Sequence, residues 1–433
     1  MIPQIKQRIE QIRRGEVPEG YKKTKVGIVP ADWQEHKLSH YLTVNNDKNT
    51  DLKYTKDDVF SISGELGIVN QIELLGRSYA GVSVAPYGIV YPNDVVYTKS
   101  PLKANPYGII KTNKLGVTGI VSTLYAIFHC NNNVSPDYVQ LYFESDHNLN
   151  NYLYPIVNIG AKHDMKISDE GSLRGTVVFP PLPEQEKIAA ILQTEDKVIE
   201  LQQKKIDELK RLKKVYLSKM FPKKGCNVPE IRFPGFTDPW EQRKLAEFVE
   251  FFSGLTYTPN DVQENGTLVL RSSNVSNGEV VDADNVYVNP QVVNSENVKV
   301  GDIVVVVRNG SRSLIGKHAQ IKAFMPNTVI GAFMTGIRSE CPEFTNALLN
   351  TSRFEEEIAM NMGATINQIT GYMFSKMEFK VPCLDEQKKI GEYFESLDHL
   401  ITLHQRKCDE EKQKKKALMQ LLLTGIVRVE VKQ

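Results

Sequence analysis

The sequence predicts an α+β fold. It consists of two globular, mostly β domains with a few helices, separated by two long antiparallel coiled-coil helices, with an internal pseudo-twofold duplication. Three observations lead to this prediction. A long helical stretch occurs twice, a domain-sized β-type segment precedes each copy, and the openings of the two β-type segments also match. Alternating β-type and helical segments of this kind indicate more than one core.

The two helical stretches are residues 180–221 and 382–423, which align without a gap at a constant offset, since 382 − 180 = 202. Identical residues at this offset include the pairs Leu182 and Leu384, Glu184 and Glu386, Gln185 and Gln387, Ile188 and Ile390, and Asp196 and Asp398. Prolines and acidic residues at each start indicate a helix N-terminus. Pro222 and Gly425 mark the two ends.

Both stretches carry apolar residues at coiled-coil spacing, and each predicts one helix of roughly 54 Å. The first seam is Ile188, Leu192, Glu195, Ile199, Gln202, Ile206, Leu209, Lys213, Tyr216 and Met220. The second seam is Ile390, Phe394, Leu397, Ile401, His404, Cys408, Glu411, Lys415, Leu418 and Leu422. Heptads alone leave a dimerisation coiled coil open. Two matched copies in one chain favour pairing within the chain.

The β-type segments have short, β-branched runs punctuated by Gly, Pro and Asn. We expect one helix around residues 136–154 in the first segment and another over residues 344–361 in the second. Trp33 and Trp240 stand at matching positions in the two openings, VPADWQEHKL and FTDPWEQRKL. The predicted domains are an N-terminal arm (1–32), a first globular domain (33–180), a first spacer helix (181–221), a linker (222–240), a second globular domain (241–381), a second spacer helix (382–423) and a C-terminal tail (424–433).

Composition excludes several classes of protein. The 433 residues contain no run of 18 apolar residues, and the start lacks the apolar core of a signal peptide, so we expect a cytoplasmic protein. Five scattered cysteines without CxxC spacing argue against a disulfide framework or a zinc site. The net charge of +1 does not indicate a nucleic-acid partner, so any basic binding surface must be local.

No catalytic or metal-binding residue is predicted. Residues 310–318 resemble a phosphate loop, but five residues separate the glycines and His318 replaces the hydroxyl residue. Residues 105–108, NPYG, lack the second proline and the glycine-rich cofactor loop of an amino-methyltransferase. The eight histidines show no HExxH spacing. We therefore expect neither a catalytic site nor a cofactor in this chain.

Polar loops in both β-type segments are candidates for DNA binding. Lys and Arg neutralise phosphates, while Ser, Asn and Gln form hydrogen bonds with base edges. The predicted DNA-binding residues are Lys99, Ser100, Lys103, Asn105, Tyr107, Lys111, Lys162, His163, Lys166, Arg271, Ser273, Asn274, Arg308, Asn309, Ser311, Arg312, Lys317, Thr365, Asn367 and Gln368. Any one of these loops taken alone is also explained as a solvated β-turn. Their occurrence at comparable places in both halves favours binding.

The chain resembles the specificity subunit of type I restriction-modification enzymes over essentially its whole length. The resemblance rests on the twin openings PPLPEQEKIAAIL and PCLDEQKKIGEYF with their Lys-rich helices, and on the paired segments VPADWQEHKL and FTDPWEQRKL. GDIVVVVRNGSRSLIGK, LLTGIVRV and the arm GEVPEGYKKTKVGIVP add to it. The second opening departs from the first, with Cys383-Leu384-Asp385 in place of Pro181-Leu182-Pro183.

The resemblance implies a non-catalytic subunit of a DNA methyltransferase and endonuclease complex, in which two target recognition domains each read one half of a split sequence in double-stranded DNA. The helices would set the spacing and dock two modification subunits. S-adenosylmethionine, ATP and Mg²⁺ are implied only for the modification and the restriction or translocase subunits. The predicted partner-binding residues are Glu184, Gln185, Lys187, Glu386, Gln387 and Lys389. Polar seam positions Gln202, Lys213, His404 and Lys415 would fix the helix register.

Two other functions stay open on the sequence alone. One is a coiled-coil scaffold whose β domains bind proteins, which the near-neutral charge favours and the duplicated polar loops oppose. The other is a stand-alone methyltransferase or nuclease, which requires cofactor binding by the isolated chain. Steep loss of DNA binding with added salt would distinguish a DNA reader from the scaffold.

Overall fold

The computed structural model describes residues 3–102, 105–159, 165–362 and 367–429, without the side chains at positions 158, 159 and 166. It divides into two compact units. Unit 1 consists of Met1–Leu201 with Cys408–Gln433, and unit 2 consists of Gln202–Lys407. Unit 1 is therefore formed by two stretches of chain that are distant in sequence.

The elements before the first long helix all belong to unit 1. They are α1 (Pro3–Arg13), β1 (Tyr21–Thr24), β2 (Gly27–Pro30), β3 (Gln34–Lys37), β4 (Leu42–Val44), β5 (Phe60–Ser63), β6 (Gly67–Asn70), α2 (Gln71–Leu75), β7 (Gly88–Val90), β8 (Val95–Thr98), β9 (Ile109–Thr112), β10 (Gly119–Val121), β11 (Tyr125–Cys130), α3 (Pro136–Glu144), α4 (Asp146–Leu153), β12 (Asn158–Ile159), β13 (Met165–Lys166), α5 (Asp169–Ser172) and β14 (Thr176–Phe179). The long helix α6 (Leu182–Met220) follows and continues into unit 2.

The remaining elements begin in unit 2. They are β15 (Glu241–Lys244), β16 (Val249–Ser253), β17 (Val262–Gln263), β18 (Thr267–Leu270), β19 (Val275–Ser276), β20 (Glu279–Val280), β21 (Val286–Val288), β22 (Ile303–Val306), β23 (His318–Gln320), β24 (Thr328–Ile330), β25 (Met334–Ser339), α7 (Pro342–Leu349), α8 (Ser352–Asn361), α9 (Gly371–Ser375) and β26 (Glu378–Val381). The second long helix, α10 (Leu384–Leu423), returns to unit 1 at Cys408.

Unit 1 is built around an antiparallel four-stranded sheet in the order β4-β11-β8-β9. Its core contains the fully buried aromatic residues Tyr97, Phe128 and Phe179 together with Ile188 and Leu192 of α6. Each such side chain contributes roughly 1.5–3 kcal/mol by leaving water. The N-terminal part of α6 is therefore an integral part of unit 1.

Unit 2 repeats this construction. Its antiparallel sheet has the order β16-β25-β22-β23, which is the same pattern as in unit 1. In each unit the strand that follows the duplicated tryptophan, Trp33 or Trp240, pairs with the last strand before the long helix, β3 with β14 and β15 with β26. Phe344, Phe379, Ile390 and Phe394 lie in the core of unit 2. The predicted duplication is confirmed at the level of strand order.

Within each unit, a stretch of α6 packs antiparallel against a stretch of α10. In unit 1, Lys415 binds Asp196 at 2.6 Å, and Leu422 shares the core with Ile188. In unit 2, the imidazole Nδ1 of His404 lies 2.8 Å from the Gln202 side-chain oxygen, and Lys213 donates to Asp398 at 2.6 Å. The four polar seam positions predicted to fix the register therefore all pair across the two helices.

Two sequence predictions about short helices are corrected. The helix expected around residues 136–154 is two helices, α3 and α4, because the Ser145 hydroxyl accepts a hydrogen bond from the Asn148 amide and starts a new helix. The helix expected over 344–361 is likewise divided, because Thr351 caps α8 through the Phe354 amide. In the described part of the chain, no helix is long and apolar enough to cross a membrane.

Candidate nucleic-acid interface

Four loops of unit 2 come together next to the end of β22, and we call them the unit 2 loop cluster. They are residues 271–274, 307–317, 331–333 and 367–368. Hydrogen bonds hold them in place: the Asn309 side-chain amide donates to the Ser272 hydroxyl at 3.0 Å, and the Asn367 amide donates to the Gly310 carbonyl at 3.0 Å. An isolated backbone bridge also joins Arg308 to Gln368. The cluster is thus a connected surface built from four distant stretches of sequence.

The cluster presents cations and hydroxyls to solvent. Arg308 and Arg312 are exposed, Lys317 is half-buried, and none of the three forms an ion pair with any residue that the structure describes. Ser273 and Ser311 are exposed beside them, and Gln368 is half-buried. Unpaired cations that are mixed with hydrogen-bonding groups suit a phosphate backbone with accessible base edges.

Two residues predicted to bind DNA in unit 2 have structural roles instead. Asn274 is 1% exposed, and its amide donates to the Ala283 carbonyl at 2.7 Å and to the Asn285 side chain at 2.8 Å. Arg271 donates to both the carbonyl and the carboxylate of Asp284, each at 2.6 Å. These contacts organise the turn after β18 and leave Asn274 no access to a base. Thr365 lies outside the described residues.

In unit 1, several of the predicted DNA-binding side chains that the structure describes are held by neighbouring residues of the chain. Lys99 forms an ion pair with Asp169 at the start of α5. The amide of Asn105, a buried residue, donates to Asp146 at 2.8 Å, and the Tyr107 ring lies edge-on to that of Tyr154. These residues fix the loop between β8 and β9 against the helices, so we correct the prediction that Asn105 reads a base.

Lys111 is also corrected. Its side chain is buried, and burial lowers the pKa of its ammonium group, while the nearby Glu144 and Asp146 act in the opposite direction. A buried lysine facing two carboxylates is withdrawn from DNA phosphates. Ser100 is exposed, as predicted. Lys103, Lys162 and His163 lie outside the described residues, as does the side chain of Lys166.

Four of the six predicted partner-binding residues at the helix starts are buried inside the chain. Glu184, Gln185, Glu386 and Gln387 are 2%, 1%, 0% and 7% exposed. Each glutamine donates to a proline carbonyl five residues earlier at 2.9 Å, Gln185 to Pro180 and Gln387 to Pro382. These side chains therefore hold the helix N-termini and do not present a surface to a separate subunit. Lys187 and Lys389 are exposed.

Each buried glutamate is paired with an arginine from a distant part of its unit. In unit 1, Arg428 donates to Glu184 through two nitrogens at 2.8 Å, and the Trp33 indole N–H donates to the same carboxylate at 3.3 Å. In unit 2, Arg232 donates to Glu386 at 2.7 and 2.8 Å. Sequence reasoning missed both arginines, although RFPG and IVRV follow the two helical stretches at short distances.

The phosphate-loop resemblance and the possibility of a metal site can both be compared with the structure. Residues 310–318 lead into strand β23 rather than into an α-helix, so they lack the helix N-terminus of a phosphate loop. Across the described ranges, no group of three or more His, Cys, Asp or Glu side chains has the geometry to hold a metal ion.

The chain is similar in sequence to known DNA-specificity proteins. Residues 237–412 match the family model described as the type I restriction modification DNA specificity domain. The chain is 30% identical over 270 residues to the MjaVIII specificity subunit of Methanocaldococcus jannaschii, which is 58% of this chain and 62% of that relative. It is 24% identical over 440 residues to the putative MjaX specificity subunit of the same organism, covering 95% of this chain and 97% of that protein.

Solved structures share the fold. The S subunit of a type I restriction-modification system from M. genitalium matches 92% of this chain and 97% of its own length, with a TM-score of 0.52 and 13% identity. A chain from a structural study of type I complex assembly matches 92% of this chain with a TM-score of 0.53 and 16% identity.

These matches are all to DNA-specificity proteins of the restriction-modification type. The chain is therefore similar to specificity subunits of type I restriction-modification systems, in line with the resemblance seen in its sequence.

Proposed function

We propose that this chain selects the DNA target of a type I restriction-modification complex by reading two half-sites, one with each unit. The observation that carries this proposal is the unit 2 loop cluster, where unpaired Arg308 and Arg312 surround exposed hydroxyl and amide groups. Phosphate contacts from the arginines position the unit, and Ser311, Asn367 and Gln368 contact base edges.

The half-site read by unit 1 is contacted by the loop between β8 and β9. The repeated strand order supports this assignment, because that loop occupies the same position in the sheet of unit 1 as residues 307–317 occupy in unit 2. The side chains that fill the two loops differ, with Lys99 and Asn105 held internally in unit 1. The two units therefore read different bases.

The long helices set the number of base pairs between the half-sites and dock two modification subunits. Support comes from the paired polar seam, Gln202 with His404 and Lys213 with Asp398 in unit 2 and Lys415 with Asp196 in unit 1, which fixes one register in each unit. With the glutamates buried, exposed residues such as Lys187 and Lys389 are the docking candidates at the helix starts. S-adenosylmethionine binds the modification subunits, and ATP with Mg²⁺ binds the restriction subunits.

The proposal is tested by assembling the chain with its cognate modification subunits and mapping methyladenine on DNA at single-molecule resolution. We expect a split motif with one methylated adenine in each half. Exchanging residues 241–381 for those of a relative changes one half only. A change in both halves contradicts the division of labour, and no sequence-specific mark from an assembled complex favours the protein-binding scaffold instead.

Variants of the loop cluster test the surface itself. Replacing both Arg308 and Arg312 by Ala removes two phosphate contacts, so the slope of log affinity against log salt concentration falls by about 2. The matched control is Arg243→Ala, which removes an arginine of the same unit from strand β15, outside the cluster. If Arg243→Ala lowers the salt slope as much per arginine removed, the DNA binds to unit 2 outside the loop cluster.

A further inference from the structure

Each unit carries one large, exposed apolar side chain at the same point of its fold. In unit 1, residues 122–124 connect β10 to β11, and in unit 2, residues 331–333 connect β24 to β25. The two turns close with the same hydrogen bond, from Tyr125 to the Ser122 carbonyl and from Met334 to the Gly331 carbonyl. The last residue of each turn is Leu124, 66% exposed, or Phe333, 54% exposed.

Both side chains lie next to the loops assigned to DNA reading. Strand pairing places Tyr125 opposite Thr98 and Met334 opposite Val306, so the preceding residue in each turn faces the first residues of the reading loop. In unit 2 the contact is explicit, because the Phe333 carbonyl accepts hydrogen bonds from the amides of Val307 at 3.0 Å and Arg308 at 3.2 Å. The turn is held rigidly at the edge of the cluster.

The surroundings of Phe333 suit a stacked base. The Arg308 guanidinium lies 4.9 Å from the centre of its ring, which orients the ring and brings a cation to the place where it meets a phosphate or base. A single exposed apolar residue on a protein surface needs no explanation. Here a large apolar side chain is exposed at the equivalent turn of both units, beside the loop assigned to DNA reading in each, and this repetition indicates a shared function.

We propose that Leu124 and Phe333 each insert at a base step of the half-site read by their own unit. Leu and Phe are among the side chains that proteins use as wedges between base pairs, and the cost of unstacking depends on the sequence of the step. Part of the target preference then comes from how easily that step opens, in addition to hydrogen bonds with base edges. This inference rests on the proposed function and names how each reading surface meets DNA.

The test uses the complex with its modification subunits and the target sequence found by methylation mapping. 2-Aminopurine is placed in turn at the base steps of each half-site, except at the adenines that become methylated, because base flipping by a methyltransferase also raises the fluorescence of this probe. The variants are Leu124→Ala and Phe333→Ala. The matched control is Phe324→Ala, since Phe324 is 80% exposed in the same unit but lies between β23 and β24, outside the loop cluster.

We expect the unsubstituted complex to raise the fluorescence at one step in each half-site. Phe333→Ala abolishes the rise in one half only, Leu124→Ala abolishes it in the other, and each weakens target binding roughly tenfold, the effect of losing one stacked contact. Phe333→Leu keeps most of the signal because leucine also acts as a wedge. The control Phe324→Ala leaves both the fluorescence at every step and the affinity for the target unchanged.

Three results would contradict the insertion of Leu124 and Phe333 at base steps. These are no fluorescence rise at any step with the unsubstituted complex, rises that persist in both alanine variants, or an equal loss in the Phe324 control. If the unsubstituted complex methylates a split motif while any of these is seen, the wedge alone is wrong. If it places no sequence-specific methyl groups, the proposed function fails as well.

Discussion

The pairing of Arg232 with Glu386 makes a strong prediction about the stability of unit 2. Glu386 lies in the first turn of α10 and is fully buried, and Arg232 covers it with two hydrogen bonds of 2.7 and 2.8 Å. The same guanidinium also donates to the Asp238 carbonyl at 2.7 Å. The arginine therefore neutralises a carboxylate that has no access to water.

Replacing Arg232 by Met keeps most of the apolar stem and removes the charge. The buried carboxylate of Glu386 is then uncompensated, which costs about 3–5 kcal/mol. For a unit of this size, where 1 kcal/mol shifts Tm by about 2–4 °C, the melting temperature falls by roughly 6–20 °C. The double variant Arg232→Met with Glu386→Leu recovers most of this loss, because a buried ion pair replaced by apolar groups of similar volume is often neutral.

The assay uses the two tryptophans of the chain, since Trp33 belongs to unit 1 and Trp240 to unit 2, and both are buried. In a Trp33→Phe background, tryptophan fluorescence during thermal or urea unfolding reports unit 2 alone. A loss below about 1 kcal/mol for Arg232→Met, or a double variant no more stable than the single one, would refute the reasoning that the buried charge drives the effect.

Three further predictions concern the same framework. Arg428→Met destabilises unit 1 by a smaller amount, about 1–3 kcal/mol, because Trp33 still donates a hydrogen bond to Glu184. In a Trp240→Phe background, tryptophan fluorescence during unfolding measures this loss of stability. Lys213→Glu faces Asp398 with a like charge and lowers the stability of unit 2 by about 1–2 kcal/mol, whereas adding Asp398→Lys restores it in the same unfolding assay. Burial lowers the pKa of His318, with Lys213 adding to the shift and Asp398 opposing it. The stability that neutral His318 contributes is therefore complete when the pH is above the ordinary pKa of histidine. It is lost as the pH falls through that value towards the lower pKa of His318 in the folded protein. The stability of unit 2 should decrease between about pH 7 and pH 5, and His318→Gln should reduce that decrease.

The long helices were predictable because the residues that mark them lie within or next to each helix in sequence and occur in both copies. Proline at the start, an apolar seam and a terminal proline or glycine placed α6 and α10 to within a few residues. The polar seam positions were also predictable, since a polar residue at a packed position of a coiled coil needs a partner on the facing helix. Lys213 and Asp398 meet in this way.

The candidate site was predictable only in part. Arg308 and Arg312 remain candidates because neither forms an ion pair with a described residue, and Ser311 because it is exposed. The side chains of Asn105 and Asn274, in contrast, are buried and form hydrogen bonds within the protein. Asparagine favours turns for this reason, and composition does not separate the two uses. A loop sequence shows which polar groups are present, but their availability depends on which helix packs against the loop.

The buried glutamates illustrate the limit most clearly. A glutamate at a helix start suggests an exposed residue that interacts with the helix dipole. What buries Glu184 is Arg428, which lies 244 positions away in sequence. No window of local sequence contains this pair. Only the duplication offered a usable signal, because an arginine follows each helical copy, Arg232 after residue 221 and Arg428 after residue 423.

The division of unit 1 into two stretches of sequence affects the order in which the protein folds as it is synthesised. Unit 2 is continuous, from Gln202 to Lys407, and all of its chain is present before the last segment of unit 1 is made. Unit 1 lacks Leu422 from its core and Arg428 beside Glu184 until all of unit 2 has been synthesised. At typical rates of about 5–20 residues per second, its N-terminal part waits on the order of 10–40 s with apolar surface uncovered. Unit 1 is thus begun before unit 2 but acquires its last core residues only after unit 2 has been synthesised, and apolar surface left uncovered in that interval favours aggregation.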